Sequence, residues 1–247
     1  MSLSDKERQR YARHILLKEI GGPGQQRLRA ATVAIVGAGG LGAPAALYLA
    51  AAGVGRLRLI DDDTVSLDNL QRQIIFRSAD TGAPKVERAA AALGALNPNV
   101  DVDTRRERLT EENARALLGG ADVVLDGTDD FATRFAVNAA SRALGGPLVS
   151  GAVGRWDGQL SVFTRAGPCY RCLVLEAPPD AETCARTGIV GALTGVIGSL
   201  MALEAIKLIA QAGEPLIGRV LLFDGLNGEA RTVKLLRDPA CPVCGHE

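Results

Sequence analysis

Thr32-Val33-Ala34-Ile35-Val36-Gly37-Ala38-Gly39-Gly40-Leu41-Gly42 is an apolar run that breaks into glycine. The first five residues read as a short apolar strand. An alanine-rich helix is expected over roughly 41–52, and Arg56-Leu57-Arg58-Leu59-Ile60 reads as a second strand ending at Asp61. Strand, glycine turn, helix and strand make a βαβ unit, which implies parallel pairing. Gly37, Gly39 and Gly42 match the dinucleotide fingerprint, and Asp61 lies near the distance of a ribose-binding carboxylate. Missing side chains let the backbone approach phosphate, and the next helix offers free N–H groups and a partial positive charge. Alone, the unit leaves open a nicotinamide or flavin cofactor, ATP, or a structural turn.

Outward from this unit, a helix is expected over residues 4–20, ended by Gly21-Gly22-Pro23-Gly24. Downstream, 62–83 is polar and irregular, and a helix runs from about Pro84 to Leu96, where Asn97-Pro98 stops it. A strand (100–108), a helix (111–118), the buried strand Val123–Asp126 and a helix to about Leu144 complete a nucleotide-binding half over about 30–145. Strands at 147–153 and 159–165, a loop at 174–188, a helix at about 190–211 and strands at 219–224 and 230–236 fill the rest. With no repeat and no long linker, one α/β domain over 1–247 is the economical reading.

Composition narrows the function. Lys plus Arg and Asp plus Glu number 28 each, so the net basic surface expected of a nucleic-acid binder is missing. The N-terminus lacks the apolar run of a signal peptide, and the apolar stretch 189–210 carries Glu204 and Lys207, which suits a buried helix better than a membrane span. A cytoplasmic protein is expected, in which five cysteines point to metal or reactivity before disulfides.

Several polar residues have two readings. The run Asp68-Asn69-Leu70-Gln71-Arg72-Gln73 is either a solvated loop or a ligand contact. Lys85 follows Pro84 in the first turn of a helix, where a cation opposes the helix dipole by about 0.3–1 kcal/mol. A bound phosphate would reverse that penalty, though an exposed lysine would tolerate it. Asp129 and Asp130 follow a parallel strand at the sheet edge that binds ligands, and either could cap the next helix or hold magnesium beside a triphosphate.

Cys169-Tyr-Arg-Cys172 and Cys241-Pro-Val-Cys244 form two CxxC pairs. Four thiolates suit tetrahedral zinc, and a full shell leaves no open position for water, so the metal is expected to be structural. The alternative is two redox or disulfide pairs. Cys184 is left over, near Arg186, as either a small buried hydrophobe or a reactive thiolate.

In combination and in this order, these features resemble the MoeB/ThiF/HesA family of ubiquitin-activating-like adenylyltransferases. The resemblance rests on Arg13 within Arg-Tyr-Ala-Arg-His, Gly37–Gly42, Asp61, Asn69–Gln73, Lys85, Gly127-Thr128-Asp129 and both CxxC pairs, and spans nearly the whole chain. It implies a mostly parallel sheet extended by antiparallel strands that receive a carrier over about 146–247, and a homodimer. It implies adenylation of the C-terminal Gly-Gly of a ubiquitin-like sulfur carrier by ATP and Mg2+. The favoured carrier is the molybdopterin synthase small subunit, with a thiamine-pathway or tRNA-thiolation carrier as the alternative. Gly40 and the turn would approach the phosphates, Asp61 would hold ribose, and Asn69, Arg72 and Lys85 would bind phosphate, with Asp68, Leu70 and Gln71 as further nucleotide-binding residues. Asp129 would coordinate magnesium, and Arg13 would reach ATP from a partner subunit. Relatives often carry Asn after that Asp, where this chain has Asp130. Cys184 matches the sulfur-linking position of ThiF-like relatives, with a sulfurtransferase or cysteine desulfurase as sulfur source. The chain stops three residues after Cys244, so a rhodanese domain of its own is not expected. Readings from other classes are an NAD-dependent oxidoreductase and a non-catalytic carrier-binding scaffold.

Overall fold

Along β1 (Thr32–Val36), alternate residues enter different cores: Val33 and Ile35 on one face of the sheet, Ala34 and Val36 on the other. Such a strand needs helices above and below it, the situation of a parallel sheet. The computed structural model describes residues 3–178 and 188–245 and shows that arrangement. Strands β2 (Arg56–Ile60), β3 (Asp101–Arg105), β4 (Val123–Asp126) and β5 (Leu148–Gly154) join β1 in parallel. Antiparallel β6 (Asp157–Phe163), β7 (Arg219–Asp224) and β8 (Glu229–Lys234) extend the same sheet in the order 3-2-1-4-5-6-7-8.

The N-terminal segment departs from the expected helix over 4–20. It forms α1 (Asp5–Arg10) and α2 (Ala12–Ile15), and the Gly-Gly-Pro-Gly run opens α3 (Gly21–Ala30) where a terminator was expected. Proline is tolerated in a first turn, where its missing N–H has no helical partner to lose. Tertiary contacts then hold α3: Leu28 is fully buried and the Gln25 amide donates to the Ala52 carbonyl at 2.7 Å. The break between α1 and α2 falls at Tyr11, whose buried hydroxyl accepts from Asn97 Nδ2 at 2.8 Å.

One layer contains α3, α4 (Gly42–Ala52), α5 (Lys85–Leu96) and α9 (Gly191–Ala210). The other contains α6 (Ala114–Leu118), α7 (Phe131–Leu144) and α8 (Tyr170–Leu173). By length and composition α9 could cross a membrane. Here it is a core helix, packed on α3, α4, β4, β5 and β6, with Glu204 salt-bridged to Lys207 at 2.6 Å.

Asn97 ends α5 and links three elements. Its Nδ2 also donates to the Ala50 carbonyl at 2.7 Å, and the residue is fully buried. Asn97→Ala is expected to lower the unfolding free energy by about 1–3 kcal/mol, because it leaves the Ala50 carbonyl and the Tyr11 hydroxyl short of a donor. Urea unfolding curves measure this, and an unchanged midpoint would refute it.

Candidate functional site

β1 and β4 lie side by side, but the chain leaves them toward opposite edges of the sheet. That reversal opens a crevice beyond their carboxyl ends, where α/β sheets bind ligands. A cleft of about 710 Å³ occupies it. Gly37, Gly39 and Gly40 form one wall, Asp61 to Asp63 and Lys85 another, and Asp68, Asn69 and Arg72 come in from the polar run. Asp129 and Asp130 approach from the loop after β4.

The glycine turn needs its glycines for different reasons. Gly37 has φ +86°, a conformation L side chains rarely adopt. Gly42 lies outside the cleft lining, and a Cβ there would come 1.8 Å from the Gly37 carbonyl oxygen. It serves the close packing of α4 on the turn.

Asp61 Oδ2 accepts from the Ala38 N–H at 2.7 Å and Oδ1 from the Asp63 N–H at 2.9 Å, so the carboxylate braces the turn from which it is reached. Burial pushes its carboxyl above the usual range, against the pull of Lys85 and of these two N–H groups. Lys85 is the first residue of α5 and is buried in the cleft wall, with Nζ 2.8 Å from Asp63 Oδ2. Its backbone N–H donates to the Asp63 carbonyl at 3.0 Å. The cation therefore faces the cleft, not open solvent. Arg72 Nη1 donates to the Asp68 carbonyl at 3.0 Å, and the Ser66 hydroxyl on the Asp68 carboxylate holds that group below its usual range.

Asp129 is exposed at the cleft, while Asp130 caps α7 by accepting from the Thr133 N–H at 2.8 Å. Asp130 also pairs with Arg108 at 3.5 Å, a cleft cation that the sequence pattern did not mark. Beneath them, buried Asp126 accepts from the Thr128 hydroxyl at 2.7 Å and the Ser150 hydroxyl at 3.2 Å, and lies 3.7 Å from buried Arg134. Arg134 also donates to the Thr128 carbonyl and, at 3.0 Å, to that of Gly151. Burial opposes its charge, but Asp126, Tyr170 and Asp129 together outweigh it and favour the cation. Arg134 thereby ties the loop carrying Asp129 to β5, a long-range role invisible in local sequence.

Besides Gly42, three expected site residues lie outside the lining. Leu70 packs against the larger core, and Gln71 lies against Gly191 at the start of α9. Arg13 is exposed on α2. Cys184 falls outside the described residues.

On the α7–α8 side the four paired cysteines converge. Cys169 Sγ is 3.6 Å from Cys241 Sγ, Cys172 Sγ is 3.3 Å from Cys244 Sγ, and all four sulfurs lie within 4.8 Å of one another. Disulfide sulfurs would be about 2.05 Å apart. Ligands about 2.3 Å from a tetrahedral zinc are separated by about 3.8 Å, close to what is found. Burial and the crowd of neighbouring sulfurs push Cys244 far up; at Cys241, burial is outweighed by the Val243 and Cys244 N–H groups together with the Cys169 and Cys244 thiols, which bring it down to about 7. Four cysteine sulfurs so placed could hold a metal ion between them.

A second groove, of about 570 Å³, runs over β6, β7 and β8 and shares Ala152, Val153 and Gln159 with the cleft. The antiparallel strands therefore lead into the glycine turn.

Comparison with known proteins agrees with this geometry. The model described as "ThiF family" matches residues 11–243. The chain is 46% identical over 255 residues to a sulfur carrier protein adenylyltransferase of Thermus thermophilus, covering 100% of this chain and 94% of that one. It is 46% identical over 245 residues to the molybdopterin-synthase adenylyltransferase of Escherichia coli, covering 98% of each. Among solved structures, E. coli MccB superposes with a TM-score of 0.84 at 24% identity, over 96% of this chain and 73% of that one, a likeness of fold.

Proposed function

The chain belongs to the ThiF family, and from that premise we propose that it uses ATP to adenylate the C-terminal glycine carboxylate of a ubiquitin-like sulfur carrier, most favourably the small subunit of molybdopterin synthase. A thiamine-pathway or tRNA-thiolation carrier is the second candidate. The observation that carries the reading is the junction at Ala152, Val153 and Gln159, where the groove over the antiparallel strands enters a cleft suited to a triphosphate. A carrier resting on the strands can pass a side-chain-free Gly-Gly tail through it. An adenylyltransferase replaces the NAD-dependent oxidoreductase that the glycine turn alone allowed.

In the reaction a carboxylate oxygen forms a bond to the α-phosphorus, the bond to the bridging oxygen of the β-phosphate breaks, and pyrophosphate departs with both bonding electrons. Both reactants are anionic, so positioning and fixed positive charge supply the catalysis. Arg72 and Lys85 provide that charge. Asp129 is the residue suited to hold Mg2+ against the phosphates, and the four cysteines suit a structural Zn2+. We read Arg13 as reaching the nucleotide from a second copy. Supporting a homodimer, α4 and α9 pack together yet leave Tyr48, Val196 and Leu203 exposed. The continuous sheet favours a single adenylating domain over 1–247, and the four close thiols suit a reducing cytoplasm.

Pyrophosphate exchange into ATP tests the activity. Exchange is expected only when a carrier ending in Gly-Gly is present, fastest with the molybdopterin synthase subunit. No exchange with any such carrier refutes the reading, and a clear preference for a thiamine-pathway carrier moves it to the alternative.

A further inference from the structure

We infer that Gln73 binds both substrates at once, its amide carbonyl accepting the last backbone N–H of the carrier tail; the inference rests on the adenylation reading above. Gln73 lines the cleft but is only 4% exposed, and its Oε1 is buried without a hydrogen-bond partner. A buried amide oxygen left unmatched is costly, and one in the wall of a ligand cleft is placed where a bound group can complete the bonding.

The side chain has little freedom to find a partner elsewhere. Its backbone N–H donates to the Asn69 carbonyl at 2.9 Å, and its carbonyl accepts from the Phe76 N–H at 3.1 Å. On the N-terminal side, the Arg72 carbonyl accepts from the Thr194 hydroxyl at 3.4 Å, and a Cβ on Gly191 would meet the Gln71 carbonyl oxygen at 2.2 Å. The segment is pinned against the start of α9.

The two ends of the amide have different surroundings. Nε2 lies 3.7 Å from where a Cβ on Gly39 would be, beside the turn that phosphate approaches. Oε1 requires a donor, and the phosphates of ATP present only acceptors. The ribose hydroxyls belong at Asp61 in this reading. The remaining donor near the reacting atoms is the peptide N–H next to the attacking carboxylate. An amide that donates to phosphate and accepts from that N–H aligns the carboxylate with its target.

The test uses the full chain with its zinc and carriers made by semisynthesis, ending either in Gly-Gly or with the last glycine N-methylated. Methylation removes the one N–H in question. Wild type is expected to lose about tenfold in kcat/KM for the methylated carrier. Gln73→Met is expected to lose about tenfold with the Gly-Gly carrier at saturating ATP, to show little further loss on methylation, and to bind ATP several-fold more weakly because the Nε2 donor is gone. Gln73→Glu keeps an acceptor, so it should remain sensitive to methylation even though its charge weakens ATP binding, and it serves if the Met variant does not fold. The inference is overturned if Gln73→Met keeps the full methylation penalty, if Gln73→Glu loses it, or if Gln73→Met binds ATP as tightly as wild type. No exchange by wild type with either carrier overturns the adenylation reading as well.

Discussion

Cys172→Ser is expected to release the metal and lower the melting temperature by at least about 10 °C, a shift that corresponds to several kcal/mol for a chain of this length. Apparent zinc affinities in finger peptides of about 10–16 kcal/mol rival the ~5–15 kcal/mol stability of a domain. The site joins α8, in the middle of the chain, to the segment after β8. β8 is exposed along its whole length, so it draws little support from core burial. Asn138 adds to the cluster, with Oδ1 accepting from the Tyr170 N–H at 2.9 Å and Nδ2 3.7 Å from Cys169 Sγ. Metal analysis and thermal melts, with and without a chelator, check the expectation. A metal-free variant as stable as wild type would remove the zinc from the account.

The second large effect concerns chemistry without stability. Asp129→Ala is expected to reduce carrier-dependent pyrophosphate exchange by about 10²–10³-fold, the scale of losing one electrostatic contact made to the transition state. Its melting temperature should stay close to wild type, because Asp129 is exposed. Asp126, at the end of the same strand, provides the contrast: it is fully buried beneath Thr128, Ser150 and Arg134, and its replacement should injure the fold. The same variant separates an enzyme from a carrier-binding scaffold, since a scaffold would keep its cellular function without Asp129. Near-normal exchange by Asp129→Ala would remove it from the site.

Tertiary contacts gave several residues roles that their neighbours in sequence do not reveal. The first helix breaks at Tyr11, whose hydroxyl is held by Asn97, 86 residues away. Gly21-Gly22-Pro23-Gly24 looks like a stop and becomes a start, since burial of Leu28 outweighs poor local propensity. Lys85 was balanced between solvent and phosphate until burial and Asp63 placed it in the cleft wall. Arg108 and Arg134 carry no motif, yet one reaches Asp130 and the other ties the loop of Asp129 to β5.

By itself, the sequence determined the βαβ unit, the strand Val123–Asp126, the family and the four cysteines that converge. Those signals are local: a strand buried on both faces must be apolar, a phosphate turn must be glycine, and a metal shell must be spaced in pairs. Only the tertiary structure decided that the groove over the antiparallel strands meets the cleft, that Leu70 and Gln71 leave its lining, and that Gln73 keeps a buried, unmatched carbonyl in the cleft wall. Direction and burial of a side chain depend on what the distant chain packs against it, and that free energy is written in no single stretch of residues.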